Sequence, residues 1–445
     1  MAVHNNREAF IPYSRQEIIN LCLADGKIAP EQEENFREFC QILAAYSHFK
    51  FHRILEDLKA NFVPFNPDLD RPCLEQQSKR LSDMEQMEED LIESFTRILT
   101  YANYYPISQQ TLEKALTESS LFELKTEVDF DDFDRMVCYY RGDISQSMSI
   151  KKWWIKKINK EIGIFERVVL LIKFKEEQHF QEKFDTQTEL NFKPGKIYCY
   201  LYKNLSKLDI EFIFPNVKMS MTWKDKLLFG VPAIGAAIPL FLKTLPQLIL
   251  IAGVIIYLTL GHQPIEELEV REEEVRNITT LLITVLSLAI TLGGFAFKQY
   301  LNYKNKQVKF QKSVTETLFY RNIASSKGVF QYLIDAAEEE ECKEIILVYY
   351  HLLTSNNPLT AEELDDRIED WLETKFGTTI DFNIQHTLQN LASIQGEIKQ
   401  QQNSTYSMKK MSLLKCDRNN YYSVIPLDEA KQVIDHVWDN AFQYA

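Results

Sequence analysis

Residues 227–260, LLFGVPAIGAAIPLFLKTLPQLILIAGVIIYLTL, are thirty-four residues with Lys243 as the only charge, and residues 278–297, ITTLLITVLSLAITLGGFAF, are twenty with none. A helix needs about 20 apolar residues to cross a hydrocarbon core of about 30 Å. The second run fits one span. The first, at about 1.5 Å per residue, overshoots one span and cannot make two. With Thr244 to Leu260 as its core, it reads as a short span whose boundary residue Lys243 extends its amine to the headgroups. Pro232, Pro239 and Pro246 recur at seven-residue spacing and favour a bent approach through 227–243 into the span, the alternative being one long tilted helix.

Charge orients this hairpin. The intervening segment 261–277 carries six Glu and two Arg, whereas Lys218, Lys224 and Lys226 precede the first run and Lys298, Lys304, Lys306, Lys309 and Lys312 follow the second. Basic residues near span ends stay on the cytoplasmic side, so both termini are expected inside and the acidic loop outside. Along the second run Thr280, Thr284, Ser287, Thr291 and Gly294 recur at spacings of 4, 3, 4 and 3. Such a small-residue stripe suits close packing against the first span or a second copy, the alternative being a polar conduction path.

Mean hydropathy over the 445 residues is -0.27, so most of the chain is expected outside the bilayer. The first thirty residues show no export or organelle signal. Ser14 and Glu17 form a capping-box pattern, Gly26 is a helix stop, and Pro30 can open a helix through residue 62. A further helical pattern at about 74–105 makes residues 1–118 a mainly helical region. In 119–226 the runs FELKTEVDF, ERVVLLIKF, KIYCYLYK, LDIEFIF and VKMSMTW predict the strands of a small β-rich region. Between them IKKWWIKKINKE sets Trp153 and Trp154 among five lysines. The stretch reads as a helix suited to anionic headgroups, or equally as a solvated helix with one packed Trp.

Residues 298–337 carry seven basic and two acidic side chains and read as a basic juxtamembrane helix, while 338–445 carry nineteen acidic and nine basic. Three helical patterns followed by an alternating, turn-interrupted segment give this acidic end domain a winged-helix-like order. Its third helix has no basic residue before Lys399, and its net negative charge opposes a polyanion, so nucleic acid is not an expected partner. The expected fold class is an α+β integral membrane protein: helical N-terminal region, small β-rich region, two-helix transmembrane hairpin and winged-helix-like domain.

Four long segments carry a family resemblance: REAFIPYSRQEIINLCL, FREFCQILAAYSHFKFHRILEDLKANFVPFNPD, YLYKNLSKLDIEFIFPNVKMSMTWKDKLLFGVPAIGAAIP and YLIDAAEEEECKEIILVYYHLL. Over most of its length the chain resembles the uncharacterised two-pass membrane proteins of domain of unknown function 3754, with bacterial, plastid and animal mitochondrial relatives. The resemblance implies two spans, in a bacterial inner or thylakoid membrane, and supplies no activity or catalytic residues.

Enzyme signatures are absent. The 13 glycines include no G-x-G-x-x-G or phosphate-binding loop, and neither H-E-x-x-H nor G-x-S-x-G occurs. The seven cysteines are scattered, with no C-x-x-C pair, which fits a reducing compartment. In YSHFKFHRILED, His48 and His52 share a helical face at i, i+4 with Glu56 one turn on, a spacing that could supply metal ligands; the alternative is a pair of packed rings. In FVPFNPDLDRP, Asn66, Asp68 and Asp70 offer oxygens but lack the Gly and distal Glu of a calcium loop, so a rigid turn is expected. No cofactor is expected. The expected partners are the lipid bilayer and a protein, or further copies of the chain. The expectation is thus a membrane-anchored, non-enzymatic scaffold; a transport component and a metal-dependent enzyme are the alternatives.

Overall fold

A computed structural model of the chain describes residues 3–4, 9–69, 81–108, 112, 125–152, 156–183, 190–220, 278–377, 379–402 and 405–440. They divide into two compact units, one of Met1–Glu118, Asp129–Asn216 and Arg321–Ala445, the other of Ser119–Val128 and Val217–Tyr320. The units cut across the blocks expected from the sequence.

In the first unit the Ser14 hydroxyl accepts the Glu17 N–H at 3.3 Å, and the Glu17 carboxylate accepts the Ser14 N–H at 2.8 Å. This reciprocal box opens helix α1 (Arg15–Ala24), and Gly26 at φ 65° turns the chain away from it. Helix α2 (Glu33–Phe62) follows a 3-10 turn at Pro30–Gln32 and buries a row from Phe36 to Phe62. Helix α3 (Leu81–Tyr101) lies within the expected helical block.

The strands, numbered along the chain, are β1 (Val3–His4), β2 (Tyr105–Pro106), β3 (Lys125–Glu127), β4 (Phe133–Lys152), β5 (Lys156–Phe174), β6 (Ile197–Ser206), β7 (Lys218–Ser220) and β8 (Asn322–Ser325). Six make one antiparallel sheet in the order β1-β4-β5-β6-β8, with β2 also on β4. Alternation along β5 and β6 turns Val169, Leu171, Ile197, Cys199 and Leu201 onto a core shared with Phe51, Phe62, Phe95 and Phe330. A short helix α4 (Glu177–Lys183) buries its Phe180 against Phe174 at the end of β5.

Several local expectations change. The lysine-rich stretch around Trp153 and Trp154 is not helical at its flanks: Lys151 and Lys152 close β4, pairing with Lys157 and Lys156 of β5. The two tryptophans themselves lie outside the described residues. LDIEFIF is a 3-10 segment, Lys207–Ile213, rather than a strand.

The second unit contains the β3–β7 pair and the long helix α5 (Ile278–Arg321) up to Tyr320. The integral membrane fold expected above is corrected here: among the described residues, no helix is long and apolar enough to cross a membrane. The apolar run at 278–297 is one end of a 44-residue helix that continues unbroken into Lys298, Lys304, Lys306, Lys309 and Lys312. The multi-pass location with both termini cytoplasmic falls with the spanning helices. The expected first span, the outer loop and Lys243 lie outside the described residues.

After β8, Ser326 at φ 50° breaks the chain into helix α6 (Lys327–Leu353), so the boundary expected at 337/338 falls inside a helix. Helices α7 (Ala361–Phe376) and α8 (Ile384–Ser393), the hairpin of β9 (Gln395–Gln402) and β10 (Thr405–Ser412), the pair β11 (Leu414–Cys416) and β12 (Tyr422–Val424), and helix α9 (Leu427–Asp439) complete the first unit. The expected order of three helices and a hairpin is present. It does not enclose its own interior: Ile11, Ile18, Phe36, Phe39 and Leu43 from the N-terminal helices share one core with Ile346, Leu372, Leu391, Ile425 and Val433.

Candidate functional site

Helix α6 is the axis of the first unit, and every residue from Glu340 to Leu352 is buried. A helix buried on all sides needs partners for each polar side chain, because an unpaired buried charge costs several kcal/mol. The run EEEECKE supplies a belt of such groups, each tied to a different part of the chain. Glu338 contacts His48 Nδ1 at 2.9 Å, and Glu339 accepts the Arg15 N–H at 2.6 Å. Glu340 accepts the Ile11 N–H at 3.1 Å and Lys343 Nζ at 2.6 Å. Lys343 also donates to the Ile11 carbonyl at 2.6 Å and the Tyr13 carbonyl at 3.0 Å. Glu341 takes Lys50 Nζ at 2.9 Å, and Glu344 accepts Asn103 Nδ2 at 3.0 Å and the Thr387 hydroxyl at 3.2 Å.

Burial pushes the Glu344 carboxyl up to about 8 against the pull of Asn103, with the nearby Glu340 acting in the same upward direction. Glu344 is therefore largely a neutral acid at pH 7, and Glu340 is shifted upward for the same first cause. Further along α6, burial lowers His351 to about 3, leaving a neutral ring against Tyr350 and Trp371. Asp25 receives Tyr350 at 2.9 Å, Trp371 Nε1 at 2.6 Å and Lys375 at 2.5 Å. Burial alone would raise Asp25, but these donors outweigh it and hold the carboxyl below its usual range.

Beside the belt, a cleft of about 350 Å³ opens between the segment Phe10–Ser14 and α6, with Arg141, Tyr332 and Lys343 on its walls. Arg141 stacks 3.8 Å over Phe10 and 4.8 Å over Tyr104, and donates to the Ala102 carbonyl at 3.1 Å. Its cross-strand partner in the sheet is Arg167, whose Nε donates to the Tyr332 hydroxyl at 3.2 Å.

The residues singled out from sequence are placed differently. His48 and His52 do share a face, with ring centroids 6.2 Å apart, but His48 meets Glu338 while Glu56 pairs with Lys59 at 2.9 Å. Among the described residues, no group of three or more His, Cys, Asp or Glu is arranged to hold a metal ion. Asn66 forms a turn, its side chain accepting the Asp68 N–H at 3.0 Å; Asp70 lies outside the described residues. Ser287 and Gly294 are exposed on α5, while the side chains of Thr280, Thr284 and Thr291 lie outside the description. Sequence reasoning missed the belt, Arg141 and Arg167. The belt's signal was EEEECKE itself, five acids and a lysine running straight into an apolar helix.

No solved structure matches the chain. Residues 165–328, from β5 to the first residues of α6, match the model of a family described as a protein of unknown function (DUF3754), which bears out the resemblance at that level and for that part of the chain.

Proposed function

We propose that the protein is a non-enzymatic scaffold that recruits a protein partner along α5. The observation that carries this reading is an exposed apolar row among the described side chains of that helix. Ile283, Leu286, Ile290, Phe297, Leu301 and Val308 are 44% to 66% exposed and fall on one face. Lys298, Lys304, Lys309 and Lys312, also exposed, flank or interrupt the row. An apolar row edged by lysines suits an amphipathic partner helix with acidic flanks. The belt on α6 supports the non-enzymatic part, since its carboxylates and lysines are engaged in holding chain segments together.

The test is quantitative affinity capture from crosslinked cells, comparing the full chain with an I290S/F297S variant and with a variant carrying Gln at Lys304, Lys309 and Lys312. A partner enriched by the full chain and lost from both variants, with unchanged unfolding temperatures, is the expected result. The same proteins captured by all three would overturn the reading.

A further inference from the structure

On α5 the exposed apolar residues Leu286, Ile290, Phe297 and Leu301 are spaced 4, 7 and 4 apart, so the row reads the same from either end. Its midpoint falls between Gly293 and Gly294, both exposed on the same face. The chain's own fold does not call for glycine at either position. Both lie inside the 44-residue helix, neither has a positive φ, and a Cβ built on either would meet nothing within 4 Å. Glycine inside an exposed helix is less stable than alanine, and nothing within α5 offsets two in succession at the centre of the row. What glycine permits there is the close approach of a second backbone.

A row symmetric about its own midpoint is self-complementary, which is the condition for a two-fold interface between identical chains. Turned antiparallel about Gly293 and Gly294, two copies set Ile290 opposite Phe297 and Leu286 opposite Leu301, each contact occurring twice. Charge selects the same direction. Lys298, Lys304, Lys309 and Lys312 follow the midpoint, while residues 278–297 carry no charge and are preceded in the sequence by 261–277, with six Glu and two Arg. A parallel pair would set each lysine beside its own copy. An antiparallel pair carries the lysines of each chain away from the other's and toward its acidic end.

We propose that the partner held by α5 is a second copy of this chain, the two helices crossing antiparallel at Gly293 and Gly294 in an isologous dimer. The inference rests on the recruitment reading above and names its partner.

Sedimentation equilibrium of the purified full chain tests the dimer, and disulfide trapping tests its direction. A monomer–dimer equilibrium is expected, weakened about tenfold or more by F297S and by G294L. G294L is decisive, because the added side chain meets nothing in the chain itself and enlarges the apolar surface of α5, so that mere stickiness of that surface would strengthen association. Under mild oxidation, chains carrying I290C and chains carrying F297C should crosslink to each other faster than either does to itself, and above the level of the unaltered chain, whose exposed cysteine among the described residues is Cys416. The dimer is overturned if the full chain is monomeric up to about 100 μM, if G294L associates as strongly as the unaltered chain or more so, or if I290C chains crosslink best to one another, as a parallel pair would. A monomeric chain that still captures a different protein, lost in I290S/F297S, overturns the second copy and leaves recruitment along α5 standing. Unfolding measured below the dissociation constant reads the single chain, so these substitutions change association there and not the fold.

Discussion

Glu344 makes the clearest prediction at the scale of one side chain. Its carboxyl is raised to about 8 in the folded chain, with burial as the first cause. Unfolding exposes it at an ordinary value near 4.5. Between those values the folded state holds a proton that the unfolded state releases, so stability is greatest at the acid end of the window and falls as pH rises toward 8. The groups that act on it are Asn103 after α3, Glu340 and Glu341 on α6, and Thr387 on α8. E344Q, which mimics the neutral acid, is expected to flatten that fall and to melt above the wild type at pH 8.5; thermal unfolding at a series of pH values reads this directly. Removing a charge whose partners remain buried acts the other way. K343M strands Glu340 and frees the carbonyls of Ile11 and Tyr13, with an expected cost of about 3 kcal/mol in urea unfolding at pH 7. Neither role was legible in sequence. In sequence EEEECKE only adds to the net charge of an acidic end domain, and the packing of other helices against α6 shows that its charges are inside.

At the scale of elements, what local physics controls was readable and what packing controls was not. The Ser14–Glu17 box starts α1 as its spacing required, and the runs at ERVVLLIKF and KIYCYLYK became the middle of the sheet, the first as a continuous apolar run buried on both faces over Val168–Ile172 and the second by alternation. Strand β4 went unseen. Charged and polar residues interrupt its pattern, and Gly142 at φ 75° departs from strand geometry between Arg141 and Asp143. Strand β8 was missed inside a presumed continuous helix because its four residues form a strand only by pairing with β6. The two long helices should respond oppositely to substitution. Phe330 of α6 is fully buried with Phe62 and Phe95 at ring distances of 5.1 and 5.8 Å, so F330A should cost about 4 kcal/mol. Ile290 of α5 is 66% exposed, and I290S should change unfolding by no more than about 0.5 kcal/mol. Urea denaturation of both variants checks the contrast.

For the whole molecule, the sequence invited a division into consecutive blocks, and the fold joins distant ones. A shift from basic to acidic composition near residue 338 looked like a domain boundary, but it falls within α6, whose belt is bonded to residues near 11, 15, 48, 103 and 387. Composition reports the solvent a segment averages over, not which segments share an interior. The first unit should therefore not survive division: chains covering 1–220 and 321–445 expressed apart should each lack a cooperative thermal transition, and near-ultraviolet circular dichroism of their mixture should regain native signal. The central claim is that α6 binds the N-terminal helices and the C-terminal helices into one cooperative body. Native-state hydrogen exchange on the full chain tests it most directly. The structure predicts that the most protected amides of α1, α2, α6, α7 and α9 open together at one free energy. Exchange of α1 and α2 through a much easier opening that leaves α6, α7 and α9 protected would contradict it.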